Sequence, residues 1–571
     1  MKNKYGQFLA LGVLLNSLAF ADEASTKTFD HAKATIKQEL GKLKPEERSS
    51  LLNLFQDPAL NPPRMTLADF YTASAGGEQG FVSKPAQERA VYHIAFRREG
   101  TPWMKEMGVK PDNVKFIFMG LSHIVDKLIT PRVTQEEIDR ADAFFKAYNR
   151  YWNKALWQKI VDTKEGRIPL KIEALPEGSV TFPGEPSIQI TAEEGFGEMA
   201  AWFEASLLHV WAPSERATYV RYWLDYFESV AHQCLEKDKP YTDQQIFELA
   251  QGFMADMSSR SARTDEEGTE LGLASLLSLK GATPAALYTA YVQNNFQPVG
   301  KLDVYSLAHR VVQGHETEGD AYQNLYQFLK EQKSKEGSFV ADCYDYRKAV
   351  VQYLIPLAKK AQAEGNIEIF ARPDSGDHYD QVLFALKEAV KANLHKTIVT
   401  KSGKTLYAMT ALKVIQADGM NFKKVKEIND RLLKEGFSPL HCVKYGIGGS
   451  LNQISRDNMS AALKLAEIGS THTPVMKFAI PAKQSIPGMV KIVRREDGLE
   501  PSVRSLNEAG ENAYVVYYDA KLPNPMPYQE NFISKQERAL SQFKFHRPAT
   551  LLSSAILEKV SQLREKHLGE G

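Results

Sequence analysis

The chain has 571 residues, 43% hydrophobic and 25% charged, the proportions of a globular protein with room for two or three cores rather than of a disordered one. Lys and Arg total 71 against 70 Asp and Glu, for a formal charge of +1, so no global field draws nucleic acid or a membrane surface. Three cysteines, Cys234, Cys343 and Cys442, are too few and too scattered for a disulfide framework or a zinc cluster, and they read as small buried residues.

In chain order, Lys2 and Lys4 precede an apolar run from Phe8 to Ala21, and Ala19-Phe20-Ala21 before Asp22 fits a small-x-small cleavage site. Residues 1–21 therefore read as a Sec-type signal peptide of an exported protein. The alternative is a hydrophobic N-terminal helix, or a misassigned start, of a cytoplasmic one. The run is too short for a comfortable membrane span, and no stable membrane anchor is expected. Residues 22–63 form a helical extension, with Ile36, Leu40 and Leu43 on one face and a boundary at Asn61-Pro62-Pro63. A mixed α+β domain with an antiparallel sheet is expected over 64–212, from strand patterns at Arg89–Phe96, Ile168–Leu175, Gly178–Phe182 and Ser187–Thr191. A helical region begins at Trp202–Trp211, with further strand ends near Lys280-Gly281 and Ser306–His309. Residues 213–470 read as an α/β barrel-like catalytic domain. Residues 471–571 return strands, among them Met489–Val493, to the α+β domain and end in an amphipathic helix carrying Leu552, Ile556, Val560 and Leu563.

Within the barrel-like region one pattern recurs four times. A β-rich run ends in acidic, small or glycine residues, and a helical segment follows. The runs are 338–341, 367–371, 412–417 and 442–445; after them come Asp342 with Asp345, then Arg372-Pro373-Asp374-Ser375-Gly376, then Asp418-Gly419, then Gly446-Ile447-Gly448-Gly449-Ser450. Val382, Leu383, Leu386, Ala389 and Val390 share one helical face, as do Val425, Ile428 and Leu432. Such alternation predicts a parallel sheet or barrel whose strand ends converge on one pocket. An inserted hairpin is expected over 396–408, turning at Ser402-Gly403. Its Ser402-Gly403-Lys404-Thr405 lacks the upstream glycine of a P-loop. Arg372 can fork onto a phosphate, Asp374 can take a ribose hydroxyl or a Mg²⁺-bound water, and Ser375-Gly376 opens a helix that favours an anion. The glycines at 446–449 let backbone amides approach a phosphate, with Arg456 downstream as a further cation. The set describes a pocket for a metal-bound, phosphorylated sugar.

Several blocks in order resemble the nicotinamide phosphoribosyltransferases within the broader nicotinate phosphoribosyltransferase group. They are Phe118-Met-Gly-Leu121, Leu175-Pro-Glu-Gly178, Lys280-Gly281, Ala308-His309, Asp342-Cys-Tyr-Asp345, Ile369–Gly376, Val414–Gly419 and Gly446–Gly449, within a match from about Thr66 to about Lys491. The resemblance implies a type II phosphoribosyltransferase-like fold, an incomplete α/β barrel with an antiparallel β-rich α+β domain. It also implies a homodimer with shared active sites and transfer of phosphoribose from 5-phosphoribosyl 1-pyrophosphate to nicotinamide, with Mg²⁺ as cofactor. Carried over by position, Asp342 and Asp374 lie near the ribose, the pyrophosphate and its metal, held through water. Arg372 contacts phosphates beside Ser375 and Gly376, and Asp418 with Gly419 holds a ribose hydroxyl. Gly448, Gly449 and Arg456 cradle the 5′-phosphate, and Lys477 and Lys483 resemble cations that also reach phosphates. Arg260 matches the arginine beside the pyridine base, Tyr71 an aromatic that a partner subunit stacks on it, and Asp69 and Arg98 polar positions near the base and the pyrophosphate. His309 matches the histidine that ATP phosphorylates, which makes ATP a coupling substrate.

Three positions depart from the family pattern. Thr283 stands where nicotinamide-type enzymes carry an aspartate for the carboxamide, which opens nicotinate as a substrate. Met257 replaces the second stacking ring, and Ala308 replaces the glutamate before the histidine. The glycine loop is also about one residue shorter before Arg456. Against the transferase stand a catalytically weak secreted homologue that binds nucleotide or a protein partner and, more distantly, an aldolase using Lys444. Retention of the whole sugar-phosphate set argues for the transferase.

Overall fold

The computed structural model describes residues 62–75, 83–302, 304–364, 367–478, 483–522, 525 and 528–569. The signal peptide expected at 1–21, and the extension expected at 22–63 apart from its last two residues, lie outside them.

Six strands form a wholly parallel sheet in the spatial order Met254–Asp256, Val443–Ile447, Leu412–Gln416, Glu368–Arg372, Glu336–Val340 and Tyr305–Ser306. The four central ones are the expected strands, and they are almost continuously buried because helices cover them. Helix His378–Lys391 buries Val382, Leu386 and Ala389, and helix Phe422–Lys434 buries Val425, Ile428 and Leu432, the faces read from the sequence. A strand ends near Ser306, as expected, but none forms at Lys280-Gly281. There Leu276, Leu277 and Leu279 close helix Asp265–Ser275 in turns and point into the core, so a buried apolar run imitates a strand. The inserted hairpin is present as His395–Val399 and Thr405–Met409, paired antiparallel.

The second sheet is antiparallel, with six strands in the order Thr473–Pro474, Ala462–Ile468, Ala90–Ala95, Pro186–Ala192, Leu170–Ala174 and Val515–Asp519. It therefore joins the first and last thirds of the sequence. The run at 178–182 contributes only Val180–Thr181, paired with Phe116–Ile117, and Val490–Ile492 pairs with Val503–Ser505 in a separate ribbon. The C-terminal helix, Ser554–Leu568, buries Ile556 and Leu563.

Helix Trp211–Cys234 touches the ribbon strand Phe116–Ile117 and the segments 449–452 and 456–459. Trp223 meets Phe422 edge-on, and Phe227 stacks on Phe253 at 4.9 Å and on Tyr445 at 6.0 Å. Among the described residues one large hydrophobic core takes in residues of both sheets, and a small second cluster of Cys234, Ile398, Leu406 and Ala408 packs at the inserted hairpin. Among the described residues no helix is long and apolar enough to cross a membrane.

Candidate active site

A cavity of about 930 Å³ opens at the carboxyl ends of the parallel strands, where the connecting loops of such a sheet converge. From the strand Met254–Asp256 and its continuation come Met257, Ser259, Arg260 and Ser261. From beyond Tyr305–Ser306 come Ala308, His309 and Arg310; the other strands give Arg372 and Asp374, then Ala417, Gly419 and Asn421, then Gly448, Gly449 and Ser450. Thr283 and Pro284, opening helix Pro284–Gln293, complete one wall.

Around His309 the geometry is tight. Its Nε2 is 3.2 Å from Asp342 Oδ1 and 3.9 Å from Asp374 Oδ2, so both carboxylates face one ring nitrogen. The Asp342 side chain is only 7% exposed, and its other oxygen accepts a 2.6 Å hydrogen bond from Ser375 Oγ. Arg372 donates from one terminal nitrogen to the Leu307 carbonyl at 3.0 Å, which aims the guanidinium along the strand end. Its Nε is buried with no partner among the described residues, an arrangement that suits an anionic ligand's oxygen. Cys343 lies beside the pair, and burial pushes its thiol up, making it a poor nucleophile.

The glycine loop is tied into the same floor. Ser450 Oγ donates to the Met420 carbonyl at 2.7 Å, and the Asp418 amide donates to Gln416 Oε1 at 3.0 Å. Gly446 is required by close approach, because a Cβ there would sit 2.5 Å from Met257 Sδ and 2.8 Å from Ala417 Cβ. Met257 thus lies directly against the strand and presents its face, 36% exposed, to the cavity. Thr283 Oγ1 accepts the Ala286 amide at 3.4 Å as the helix cap while lining the same wall. Asp418 is exposed beside the cavity, between lining residues Ala417 and Gly419.

The structure thus brings Met257, Arg260, Thr283, His309, Arg372, Asp374, Gly419, Gly448 and Gly449 around one space, with Asp342 and Ser375 bonded behind it and Gly376 in the same turn. Asp69, Tyr71, Arg98 and Arg456 do not line it. They lie at the antiparallel sheet: Asp69 and Tyr71 are exposed on the short helix Phe70–Ala73, Arg98 donates to the Asp457 carbonyl at 2.9 Å, and Arg456 pairs with Asp457. Cations crowd here. Burial and then Arg456 press the Arg97 guanidinium below its ordinary range, while burial, together with Arg97, Lys477 and Arg456, lowers Lys464 despite the opposing pull of Glu204. Among the described residues no group of three or more His, Cys, Asp or Glu forms a metal cage.

Sequence reasoning missed the support beneath the cavity. Asp256, buried at the end of its strand, is held by Arg216 at 3.1 Å and by Ser275 Oγ at 2.6 Å. Neither partner adjoins a recognisable motif; the only sequence signal is a charge within an apolar helical stretch.

A parallel half-barrel with Asp, Arg and glycine at its strand ends, joined to an antiparallel sheet, defines the type II phosphoribosyltransferase fold. The family model described as the nicotinate phosphoribosyltransferase (NAPRTase) family matches residues 254–490, and that described as the nicotinamide phosphoribosyltransferase N-terminal domain matches residues 85–172. The chain belongs to the nicotinate phosphoribosyltransferase family. It is 29% identical over 364 residues, 62% of this chain and 73% of the relative, to a nicotinamide phosphoribosyltransferase of Xanthomonas campestris pv. campestris (strain 8004). Nicotinate-nucleotide pyrophosphorylase from Pyrococcus furiosus superposes with a TM-score of 0.50 at 15% identity, over 80% of this chain and 90% of that one. Human nicotinic acid phosphoribosyltransferase superposes with a TM-score of 0.49 at 15% identity, over 84% and 96%.

Proposed function

We propose that the protein transfers phosphoribose from 5-phosphoribosyl 1-pyrophosphate to nicotinamide, giving nicotinamide mononucleotide and pyrophosphate in NAD salvage. The observation that carries this reading is the convergence of Asp374, Arg372, His309 and the Gly448-Gly449 loop on one cavity in a chain of this family. As pyrophosphate leaves, C1′ gains oxocarbenium-like charge. Catalysis then needs cations on the leaving group, carboxylates at the ribose and an aligned base. Arg372 supplies the cation, Asp374 and Asp418 the ribose contacts, and the glycine amides the 5′-phosphate seat. Met257 and Arg260 flank the space for the pyridine ring.

Two neighbouring carboxylates, with no cage of three or more His, Cys, Asp or Glu among the described residues, suit Mg²⁺, which keeps several waters and binds through substrate phosphates. Asp342 and Asp374 would hold it through water, and it would neutralise leaving-group charge. His309, hydrogen-bonded to Asp342, is arranged as an imidazole nucleophile for the γ-phosphate of ATP, which would couple ATP hydrolysis to synthesis. The uncharged Thr283 on the cavity wall favours one second reading, acceptance of nicotinate.

The separation of Asp69, Tyr71, Arg98 and Arg456 from the cavity supports a homodimer in which each subunit completes the other's site. Mixing two inactive variants, Asp374→Ala and Tyr71→Ala, then restores about a quarter of wild-type activity, since half the random dimers carry one intact site of two. No recovery means the sites are not shared.

The activity itself is tested with the full chain, phosphoribosyl pyrophosphate and Mg²⁺, each base in turn, with and without ATP, and chromatography of the mononucleotides. Product from one base upholds the transferase, and an ATP effect upholds the role of His309. No product from either base overturns the proposal.

A further inference from the structure

Helix Trp211–Cys234 carries two consecutive charged residues, Glu215 and Arg216, both 0% exposed. Burying a charge is costly unless its partners are well placed, and here four of the partners lie within residues 451–458, just after the glycine loop. Arg216 Nε donates to the Leu451 carbonyl at 3.1 Å, one terminal nitrogen donates to Asn452 Oδ1, and the other reaches Asp256 Oδ2 at 3.1 Å and Ser258 Oγ at 2.7 Å. Asn452 closes the circle by donating to the Ser258 carbonyl at 2.9 Å. Glu215 accepts from the Ser455 amide at 2.8 Å on one oxygen, and from Trp103 Nε1 and Asn458 Nδ2, both at 2.8 Å, on the other. Ser455 is in turn the cap of helix Arg456–Met459, accepting the Asn458 amide at 3.2 Å.

The Ser455 amide and Trp103 Nε1 can only donate, and the Asn458 side chain is turned to present its N–H₂, so all three bonds need an acceptor oxygen of Glu215. Other ionisable groups around Glu215 are Arg216 and Tyr219 on its own helix, Glu106 beside Tyr219, and Arg456 and Asp457 on the segment it holds; none of these bonds to it among the described contacts.

We propose that Glu215 is a positioning residue whose buried carboxyl clamps the 455–458 segment, and so fixes the helix that carries Arg456, with Arg216 fixing the preceding glycine loop from the same helix. The proposal rests on the phosphoribosyl transfer reading and names the residues that hold its phosphate side in register. Burial pushes the Glu215 carboxyl up to about 7, against the three hydrogen bonds that favour its charged form. A buried carboxyl with a raised value takes up a proton on closure, so the clamp is firmest on the acid side and weakens as pH rises through about 7.

The test compares wild type with Glu215→Gln from about pH 6 to about pH 8. The glutamine keeps the shape but turns an N–H₂ toward donors. Two readouts are used: hydrogen exchange of the 451–459 backbone in the free protein, corrected for intrinsic rates, and KM for each substrate. Wild-type protection is expected to fall as pH rises through about 7, and the variant, which cannot ionise, to show no such step. KM for phosphoribosyl pyrophosphate in the variant should be raised about tenfold, while KM for nicotinamide stays unchanged. Because both proteins see the same titrating substrate, only their difference reports Glu215. Trp103→Phe, which deletes one donor and keeps a ring on Tyr219, 4.4 Å away in the native stack, should move the wild-type midpoint upward by about one pH unit. That variant decides the matter if the glutamine does not fold. Identical pH dependence of exchange in all three proteins overturns the clamp. A pH-dependent clamp in exchange without turnover of any base overturns the transferase reading and leaves the clamp standing.

Discussion

Thr283→Asp should strengthen the preference for nicotinamide over nicotinate. Thr283 accepts the Ala286 amide as the cap of helix Pro284–Gln293 and lines the cavity with Met257 and Arg260. Aspartate caps as well as threonine, and its charge at a helix N-terminus adds about 0.3–1 kcal/mol. Stability should therefore hold to within about 1 kcal/mol. A carboxylate on bound nicotinate would lie on the order of 5 Å from the new one. At an effective dielectric of ~20 their repulsion is about 3 kcal/mol, or about two orders of magnitude in preference. The carboxamide of nicotinamide can instead donate to the aspartate, which widens the gap. Exposed Arg260 on the same wall offsets part of it. The assay is competition between the two bases at fixed phosphoribosyl pyrophosphate, reported as the ratio of kcat/KM, with a melting curve on the same sample. A folded variant whose ratio moves less than about threefold would refute the placement of the base against Thr283.

Asp374→Ala should reduce turnover by at least about a hundredfold while changing stability by less than about 0.5 kcal/mol, because the side chain is 37% exposed and outside the core; turnover and thermal melting check the two halves separately. Arg372→Ala should weaken phosphoribosyl pyrophosphate by about 2–3 kcal/mol in calorimetry and leave nicotinamide untouched. Lys535→Met strands Glu177, a carboxylate 2% exposed that otherwise accepts Lys535 Nζ at 2.6 Å and the Gly120 and Ser122 amides at 3.0 and 2.9 Å; the cost should be about 3–5 kcal/mol in denaturant melts at neutral pH. Burial alone would raise the Glu177 carboxyl, but Lys535 and the amides outweigh it and hold it below its ordinary value. That stabilisation is present above the unfolded carboxyl range and lost as pH falls through the folded value, so the deficit of the variant should be largest above about pH 5 and shrink on acidification.

The parallel sheet was legible where strands are fully covered by helices. Runs such as Ile-Phe-Ala at 369–371 and Val-Ile-Gln at 414–416 are buried on both faces and end abruptly in Arg-Pro-Asp or Asp-Gly. Its two edges were harder to read. Met254–Asp256 has three residues, Tyr305–Ser306 has two that are both exposed, and neither length nor pattern separates them from loops. The antiparallel partners were still less legible as a sheet. Ala90–Ala95 lies between Ala462–Ile468 and Pro186–Ala192, and nothing local in a strand names a neighbour several hundred positions away. In the site, residues that follow a covered strand were found because the strand end fixes their direction. Arg216 was not, since a charge in a helical stretch reads as a solvent-facing position until the surrounding loops are seen to enclose it.

That concealment has a physical cause that bears on function. A glycine loop that offers backbone amides to a phosphate cannot be anchored by its own side chains, and packing apolar residues beneath it would fill the space without fixing its amide directions. Directional bonds from a rigid element can do so. Helix Trp211–Cys234 supplies them because it is held on two sides, by Trp223 and Phe227 toward the parallel sheet and by Thr218 Oγ1, which accepts the Ile117 amide at 2.8 Å, at the two-stranded ribbon. Its Glu215 and Arg216 then reach consecutive parts of one loop. The glycine loop that lines the cavity and the Arg456 helix that follows it are thereby referred to the same element as the core, so displacing either must break buried, charge-assisted hydrogen bonds, each worth more than a neutral one.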